Sequence, residues 1–133
     1  MKNFKKLINL ASAKAGKKKL TDDVSVGRVA CVLKTKSGKT YTGINVKAAG
    51  DLGFCAEVTA LSQMVNDGET KIETLVGISD SGKLITPCGR CRELIYQLDR
   101  DNLKTKIVIE ENKSVSLEEL LPHRWQDYWG GRE

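Results

Sequence analysis

The sequence predicts an α/β fold, a sandwich of helices on a mixed β-sheet, in one domain over residues 1–133. The first observation is the order of the elements, which is a helix, a β-hairpin, and then helices alternating with strands. A hairpin is antiparallel, whereas strands separated by helices become parallel neighbours, so the sheet should be mixed. The second observation is size, because 133 residues with 40% hydrophobic composition fit one core.

The first half of the chain begins with a helix and continues with the hairpin. Apolar residues recur at helical spacing and predict a helix over about residues 2–14. Residues from about 25–35 and 39–46 have strand composition and flank a turn at Ser37-Gly38. Two such strands around a short glycine turn predict a hairpin.

The second half alternates helices and strands. The predicted elements are a helix from about Cys55 to Asn66, a strand over about 72–79, a helix from Cys88 to about Leu98, a strand over about 105–110 and a short helix from Ser116 to Leu121. Gly68 should end the first of these helices, because the left-handed C-terminal position favours glycine. Ser116, with Glu119 three residues later, should cap the last helix.

The chain is basic, with 22 lysine and arginine residues against 17 aspartate and glutamate residues, a net charge of +5. Much of the excess lies near the N-terminus in Lys2, Lys5, Lys6, Lys14, Lys17, Lys18 and Lys19. Such a run either binds a polyanion or forms a solvated helix face and loop. A solvated face is expected, because the small chain lacks the clustered aromatic-basic groove of polynucleotide-binding proteins.

The sequence offers no membrane segment. No apolar run approaches the roughly 20 residues that a membrane span needs. The apolar residues near the N-terminus are interrupted by lysine and asparagine, as in an amphipathic helix rather than a secretory signal. We therefore expect a cytoplasmic protein without a membrane partner. In a reducing cytosol, cysteines are more often metal ligands or nucleophiles than disulfides.

Two short runs carry the chemistry, Cys55-Ala56-Glu57 and Pro87-Cys88-Gly89-Arg90-Cys91. Cys88 and Cys91 are three residues apart, so on one helical turn their sulfurs face the same way. With Cys55 from a second helix, they suit three thiolates on one tetrahedral Zn²⁺. Three protein ligands and one open position are the layout of a catalytic zinc, so one Zn²⁺ per chain is predicted.

Glu57 lies two residues beyond Cys55 and can move protons at the open position. Both cysteine runs open helices, where partial positive charge and free N–H groups favour thiolates. Three thiolates on Zn²⁺ leave a formal charge of about −1, so the metal acidifies water less than a neutral-ligand site would. A carboxylate that accepts a proton from water and passes it to a leaving amine completes a hydrolytic deamination.

Other interpretations of the cysteines stay open at this point. Cys88 and Cys91 alone would also fit a thioredoxin-like redox pair, which follows a strand and opens a helix. Cys31 could be the fourth ligand of a closed structural zinc, which would make the chain a binding module rather than an enzyme. Its neighbours Ala30 and Val32 are apolar, and they instead predict a buried core residue.

Cys-Ala-Glu at 55–57 followed by Pro-Cys-x-x-Cys at 87–91 resembles the signature of the cytidine deaminase family. The resemblance covers about residues 24–122 and includes Gly43-Ile44-Asn45-Val46 and Leu120-Leu121-Pro122. It implies a three-layer α/β/α fold with a mixed sheet of about five strands. It also implies deamination of a cytidine-like or deoxycytidine-like nucleoside in pyrimidine salvage, and a homotetramer, since the small cysteine-ligated members are usually tetrameric.

The resemblance also implies roles for individual residues. The zinc ligands would be Cys55, Cys88 and Cys91. Glu57 would be the proton shuttle, and Asn45 matches the asparagine that contacts the ribose of a nucleoside. The Ala56 N–H and the Thr86 carbonyl should lie beside the pyrimidine ring and the departing ammonia.

Three departures from the usual pattern of the family limit the range of expected substrates. Nucleoside enzymes usually carry Asn-x-Glu, and the third residue of that motif is Lys47 in this chain. They also carry a Phe that stacks on the base, which residues 24–27 lack. The usual Arg after Cys-Ala-Glu is Val58, so the cysteine cluster should be more negative unless another donor substitutes. With Ser25 on the first strand and Arg90 between the paired cysteines, these changes resemble blasticidin-S deaminases, which act on a cytosine nucleoside antibiotic with a modified sugar.

Several residues are candidates for substrate contact or for packing. Lys47, Arg28 and Arg90 suit an acidic substituent on the substrate, and each is otherwise a solvated surface group. Ser25 is a candidate contact of the base. The C-terminal aromatic residues should pack on the domain or on a neighbouring subunit rather than close over the substrate: Trp125, Tyr128 and Trp129.

Overall fold

A seven-stranded sheet forms the centre of the computed structural model, which describes residues 3–131. The elements in chain order are α1 (Lys5–Lys14), β1 (Lys18–Lys19), β2 (Ser25–Thr35), β3 (Thr40–Lys47), α2 (Ala56–Asn66), β4 (Ile72–Ser79), β5 (Leu84–Ile85), α3 (Gly89–Leu98), a 3-10 helix (Arg100–Lys104), β6 (Lys106–Glu110), β7 (Lys113–Ser116), α4 (Leu117–Leu120) and α5 (Trp125–Trp129). Lys2, which the predicted first helix included, lies outside the described residues. The predicted bounds of β2 and β4 are confirmed.

The sheet is mixed, as predicted. β2 pairs antiparallel with β1, β3 and β4, and β4 also pairs antiparallel with β5. The β4–β6 pair is parallel, with Thr74 opposite Lys106, whereas β6 and β7 are antiparallel. The prediction that the later strands run parallel is therefore correct for the β4–β6 pair and wrong for β4 beside β2, where the pairing is antiparallel.

The predicted count of about five strands is wrong, because the sheet has seven. The strands missing from the prediction are β1, β5 and β7, which are two, two and four residues long. Segments this short contain too few residues to show the alternation that identifies a strand in a sequence. They are fixed by pairing with longer neighbours, which is a tertiary effect.

Helices cover both faces of the sheet, which confirms the three layers. Successive residues of β2 alternate between the faces, as the pleat requires. Cys31 and Leu33 pack with α2 and α3, whereas Ala30 and Val32 pack with Phe4 and other residues of the α1 side. Cys31 is fully buried, as expected for a core residue.

The segment that follows α3 is held by one buried polar side chain. Asn102 accepts a hydrogen bond from the Ile72 N–H and donates to the carbonyls of Thr70 and Ile95. All of its polar atoms are therefore satisfied inside the core, as buried amides require. This residue ties the 3-10 helix to the start of β4 and so fixes the end of α3.

Two helix ends follow the predicted chemistry. Gly68, just beyond α2, has φ +84°, in the left-handed region that favours glycine. Ser116 caps α4, and Glu119 completes a capping box with it. No helix within residues 3–131 is both long enough and apolar enough to cross a membrane.

Candidate metal and active site

The first part of the site is the N-terminus of α2. Cys55 is the N-cap residue, with extended backbone angles, and Glu57 follows in the first turn, only 5% exposed. The helix packs so closely on β3 that a Cβ at Gly43 would lie 2.5 Å from the Ala56 carbonyl oxygen. The absence of a side chain at Gly43 allows this contact. The Thr59 hydroxyl donates to the Ile44 carbonyl and holds the same contact. The backbone of β3 thus sets the position of this helix.

The second part is the N-terminus of α3, where Cys88 is the N-cap residue and Cys91 is fully buried. The loop before it is held by Arg92. Its Nε donates to the Pro87 carbonyl at 2.8 Å, and one Nη donates to the Thr86 hydroxyl at 3.1 Å. The other Nη donates to the Leu120 carbonyl. Arg92 therefore fixes the loop that delivers Cys88.

The three cysteine sulfurs meet between the two helices. The sulfurs of Cys55, Cys88 and Cys91 all lie within 4.8 Å of one another, and Cys55 and Cys88 are 3.6 Å apart. Two sulfurs at about 2.3 Å from one tetrahedral zinc lie roughly 3.8 Å apart, so this donor set fits the ion. All four cysteines are free, and Cys31 is not part of the cluster among the described residues.

The thiols differ in their affinity for protons. Burial raises the pKa of Cys55 and of Cys91, and the nearby Glu57 carboxylate adds to both effects. Burial acts in the same direction on Cys88, but the Cys91 N–H and the other thiols outweigh it, so the pKa of Cys88 is lowered. Buried Cys31 has a raised pKa as well, which favours a neutral thiol in the core.

Burial also raises the pKa of Glu57 above its ordinary value. The backbone N–H of Glu57 and the Cys91 thiol oppose this effect without cancelling it. A carboxyl group removed from water beside the cysteine cluster is suited to taking up a proton and returning it.

A cavity of about 680 Å³ opens over the cluster. Its lining includes most of the sequence-predicted site residues, namely Asn45, Lys47, Cys55, Ala56, Glu57, Thr86, Cys88 and Arg90. The volume is in the range of pockets that bind small organic molecules. The side-chain oxygen of Asn45 accepts the Val29 N–H at 2.9 Å, beside a register shift in β2. Its amide N–H groups are therefore the part of Asn45 that is left for a ligand.

Ser25 and the C-terminal aromatic residues do not line this cavity. Ser25 lines a smaller neighbouring hollow. Trp125 and Trp129 stack on one another with ring centroids 5.6 Å apart and are 58% and 64% exposed. Helix α5 is held to α3 by Asp127, which accepts a hydrogen bond from the Tyr96 hydroxyl.

Sequence reasoning missed several lining residues, three of them with large apolar side chains, and one supporting residue. Val29, Phe54 and Ile85 line the cavity and give it apolar walls. Phe54 provides an aromatic ring, which residues 24–27 at the start of β2 lack. Its position directly before Cys55 could have identified it in the sequence as a residue of the site. Arg92 could have been found from its position one helical turn after Cys88.

Comparison with known proteins identifies the family. Residues 1–107 match the family model of the cytidine and deoxycytidylate deaminase zinc-binding region. The chain belongs to this deaminase family. The match includes both cysteine runs, Cys55-Ala56-Glu57 and Pro87–Cys91.

Curated and solved members of the deaminase family extend this result. The chain is 30% identical to blasticidin-S deaminase of Bacillus cereus over 109 residues, 73% of this chain and 76% of that protein. It is 32% identical to cytidine deaminase of Mycoplasma genitalium over 100 residues, 71% of this chain and 75% of that protein. The crystal structure of cytidine deaminase from Mycobacterium leprae has a TM-score of 0.74 at 25% identity, covering 92% of this chain and all of that one.

In this deaminase, replacing Arg92 by methionine should loosen the loop before Cys88. The change leaves the hydrogen-bond acceptors at Thr86, Pro87 and Leu120 without their donor, which we expect to cost about 1–3 kcal/mol of unfolding free energy. Urea unfolding measures the loss. The matched Lys113→Met variant removes an exposed cation on β7 and should change the stability by less than about 0.5 kcal/mol. Equal stability of the two variants would contradict the role given to Arg92.

Proposed function

We propose that the chain is a zinc-dependent hydrolytic deaminase that converts a cytosine nucleoside, cytidine-like or deoxycytidine-like, to its uracil counterpart with release of ammonia. The observation that carries the proposal is the cluster of three cysteine sulfurs next to a cavity that Cys55, Cys88 and the buried Glu57 line. Family membership supports the same class of reaction.

The proposed roles follow from position. Cys55, Cys88 and Cys91 would hold one Zn²⁺ per chain, and the bound zinc would make a water molecule acidic enough to act as a nucleophile. Glu57 accepts a proton from the attacking water, whose oxygen adds to C4 of the cytosine ring. The same carboxyl then gives a proton to the amino group, which leaves as ammonia.

The substrate is held by groups around the cluster. The free amide N–H groups of Asn45 would donate to a sugar hydroxyl, since the side-chain oxygen is already used by Val29. The Ala56 N–H and the Thr86 carbonyl are proposed to lie beside the ring and the departing ammonia. Phe54 is the aromatic wall of the cavity and can pack on the base.

A second candidate substrate is a modified cytosine nucleoside such as blasticidin S. It is favoured by the similarity to blasticidin-S deaminase of Bacillus cereus and by Arg90, which lines the cavity. Ser25 is a further candidate contact with the substrate. A cytoplasmic location, a single domain, a homotetramer and a role in pyrimidine salvage complete the proposal.

A substrate panel tests the proposed function. Zinc-loaded protein is incubated with cytidine, deoxycytidine, blasticidin S and free cytosine, and both ammonia and the ultraviolet shift of the base are measured. We expect release of one ammonia per converted base with at least one nucleoside. A protein that holds zinc but converts no member of the panel would contradict the proposal and favour a structural-zinc binding module.

A further inference from the structure

We infer that a second, basic subsite adjoins the candidate active-site cavity and takes an anionic group carried on the sugar of the substrate, a phosphate or a carboxylate. The subsite is a hollow of about 260 Å³ whose lining includes Lys17, Asp23, Arg28 and Lys47; we call it the basic hollow. This inference rests on the proposed function, because it specifies the class of cytosine nucleoside that the chain accepts.

The basic hollow adjoins the larger cavity. Lys47 and Ala48 line both, so the two spaces share a wall at the end of β3. Asn45, the proposed sugar contact, lies two residues before Lys47 on the same strand. A substituent that extends from the sugar beyond Asn45 therefore meets Lys47 next. Arg90 lines only the larger cavity and is not part of the basic hollow.

The fold brings Lys17 to the hollow through a specific contact. The Gly16 N–H donates to the Gly27 carbonyl at 2.7 Å, and β1 pairs Lys18 with Val26 immediately afterwards. A Cβ at Gly27 would lie 2.0 Å from the Gly16 carbonyl oxygen, so only glycine allows this approach. The N-terminal segment is therefore held against β2, which brings Lys17 to the same hollow as Arg28.

Arg28 and Lys47 reach the hollow from paired strands. Arg28 lies where the register of β2 with β3 shifts, between Val26 and Ala30. Such an irregularity redirects side chains from the regular alternation. Lys47 ends β3, opposite Ser25. Three separate backbone segments thus each deliver one cation to the same small space.

The charges of the hollow are not balanced within the protein. Three cations face one carboxylate, Asp23, and none of the three forms an ion pair with a residue in the range 3–131. Like charges held close together repel one another, so a bound anion would stabilise them. The guanidinium of Arg28 suits two oxygens of a phosphate or a carboxylate, and the lysines add point charges.

The test compares charged and uncharged nucleosides on zinc-loaded protein. We measure kcat/KM for cytidine, cytidine 5′-monophosphate, cytidine 3′-monophosphate and cytidine 5′-carboxylate, in the wild type and in the double variant Lys17→Gln with Arg28→Gln. At least one anionic nucleoside should be preferred over cytidine by about tenfold or more, and the double variant should lose most of that preference. The preferred compound shows whether the anion is a phosphate or a carboxylate.

A matched control and a binding measurement keep the outcomes distinct. Lys36→Gln removes an exposed cation at the opposite end of β2 and should keep the wild-type preference. Deamination of cytidine without any preference for an anion, or a preference that the double variant retains, would overturn the subsite and leave the proposed function intact. If no nucleoside is deaminated, the proposed function fails. The subsite then depends on calorimetry, in which equal binding of cytidine and all three anionic compounds would overturn it.

Discussion

Replacement of Glu57 by glutamine should lower the rate of cytosine nucleoside deamination by about 10²–10⁴-fold, the range attributed to a positioned general acid–base. Glutamine has nearly the same shape as glutamate but cannot accept and return a proton. Glu57 is buried, and that burial raises its pKa, so the carboxyl group is suited to taking up and returning the proton. The variant should still bind zinc, since the three sulfurs proposed to hold the metal are unchanged.

The measurement is single-turnover deamination with zinc content determined on the same samples. The matched control is Glu118→Gln, an exposed glutamate of α4, which should keep wild-type activity. Activity of Glu57→Gln within threefold of the wild type, at equal zinc content, would contradict the proton-shuttle role. Loss of zinc together with activity would instead show that Glu57 supports the metal site.

The long elements of the fold could be predicted because their sequences carry their own periodicity. β2 and β4 are bounded by turns and rich in β-branched residues, so local pattern and final structure agree. β1 carries no such signal, since Lys18 and Lys19 are exposed and polar. It becomes a strand only because the close contact of Gly16 with Gly27 places it beside β2. Local pattern cannot report a contact of that kind.

In the candidate site, too, residues within local motifs could be predicted, whereas a residue that acts through a tertiary contact could not. Cys55, Glu57, Cys88 and Cys91 were identified because two short motifs fix their relative positions within a helical turn. Arg92 was missed, although it directly follows the second motif. Its partners include the Leu120 carbonyl, which is distant in sequence, so its role depends on a tertiary contact.

Substitution of Cys91 by serine should remove the metal and abolish activity. Cys91 is fully buried, and its sulfur lies within 4.8 Å of those of Cys55 and Cys88. A serine hydroxyl is a weak zinc ligand because it stays protonated at neutral pH. We expect zinc content to fall from about one ion per chain to below 0.1 after dialysis against a chelator. Elemental analysis of the dialysed protein measures this directly.

The thermal stability of the protein should depend on bound zinc. A ligand that binds only the folded state stabilises it by roughly 2.7 kcal/mol at a free concentration 100 times the dissociation constant. Adding a chelator should therefore lower the Tm of the wild type and leave that of Cys91→Ser unchanged. The size of the shift in the wild type measures how much zinc contributes to folding.

Cys31 provides the matched control for this experiment. It is as fully buried as Cys91, but it lies on β2 outside the sulfur cluster. Cys31→Ala should cost about 1 kcal/mol of packing, keep one zinc per chain and keep activity. Loss of zinc from Cys31→Ala would make Cys31 a fourth ligand and the site a closed structural one. Retention of zinc by Cys91→Ser would contradict the three-sulfur site, because a cysteine that can be removed without loss of the ion does not bind it.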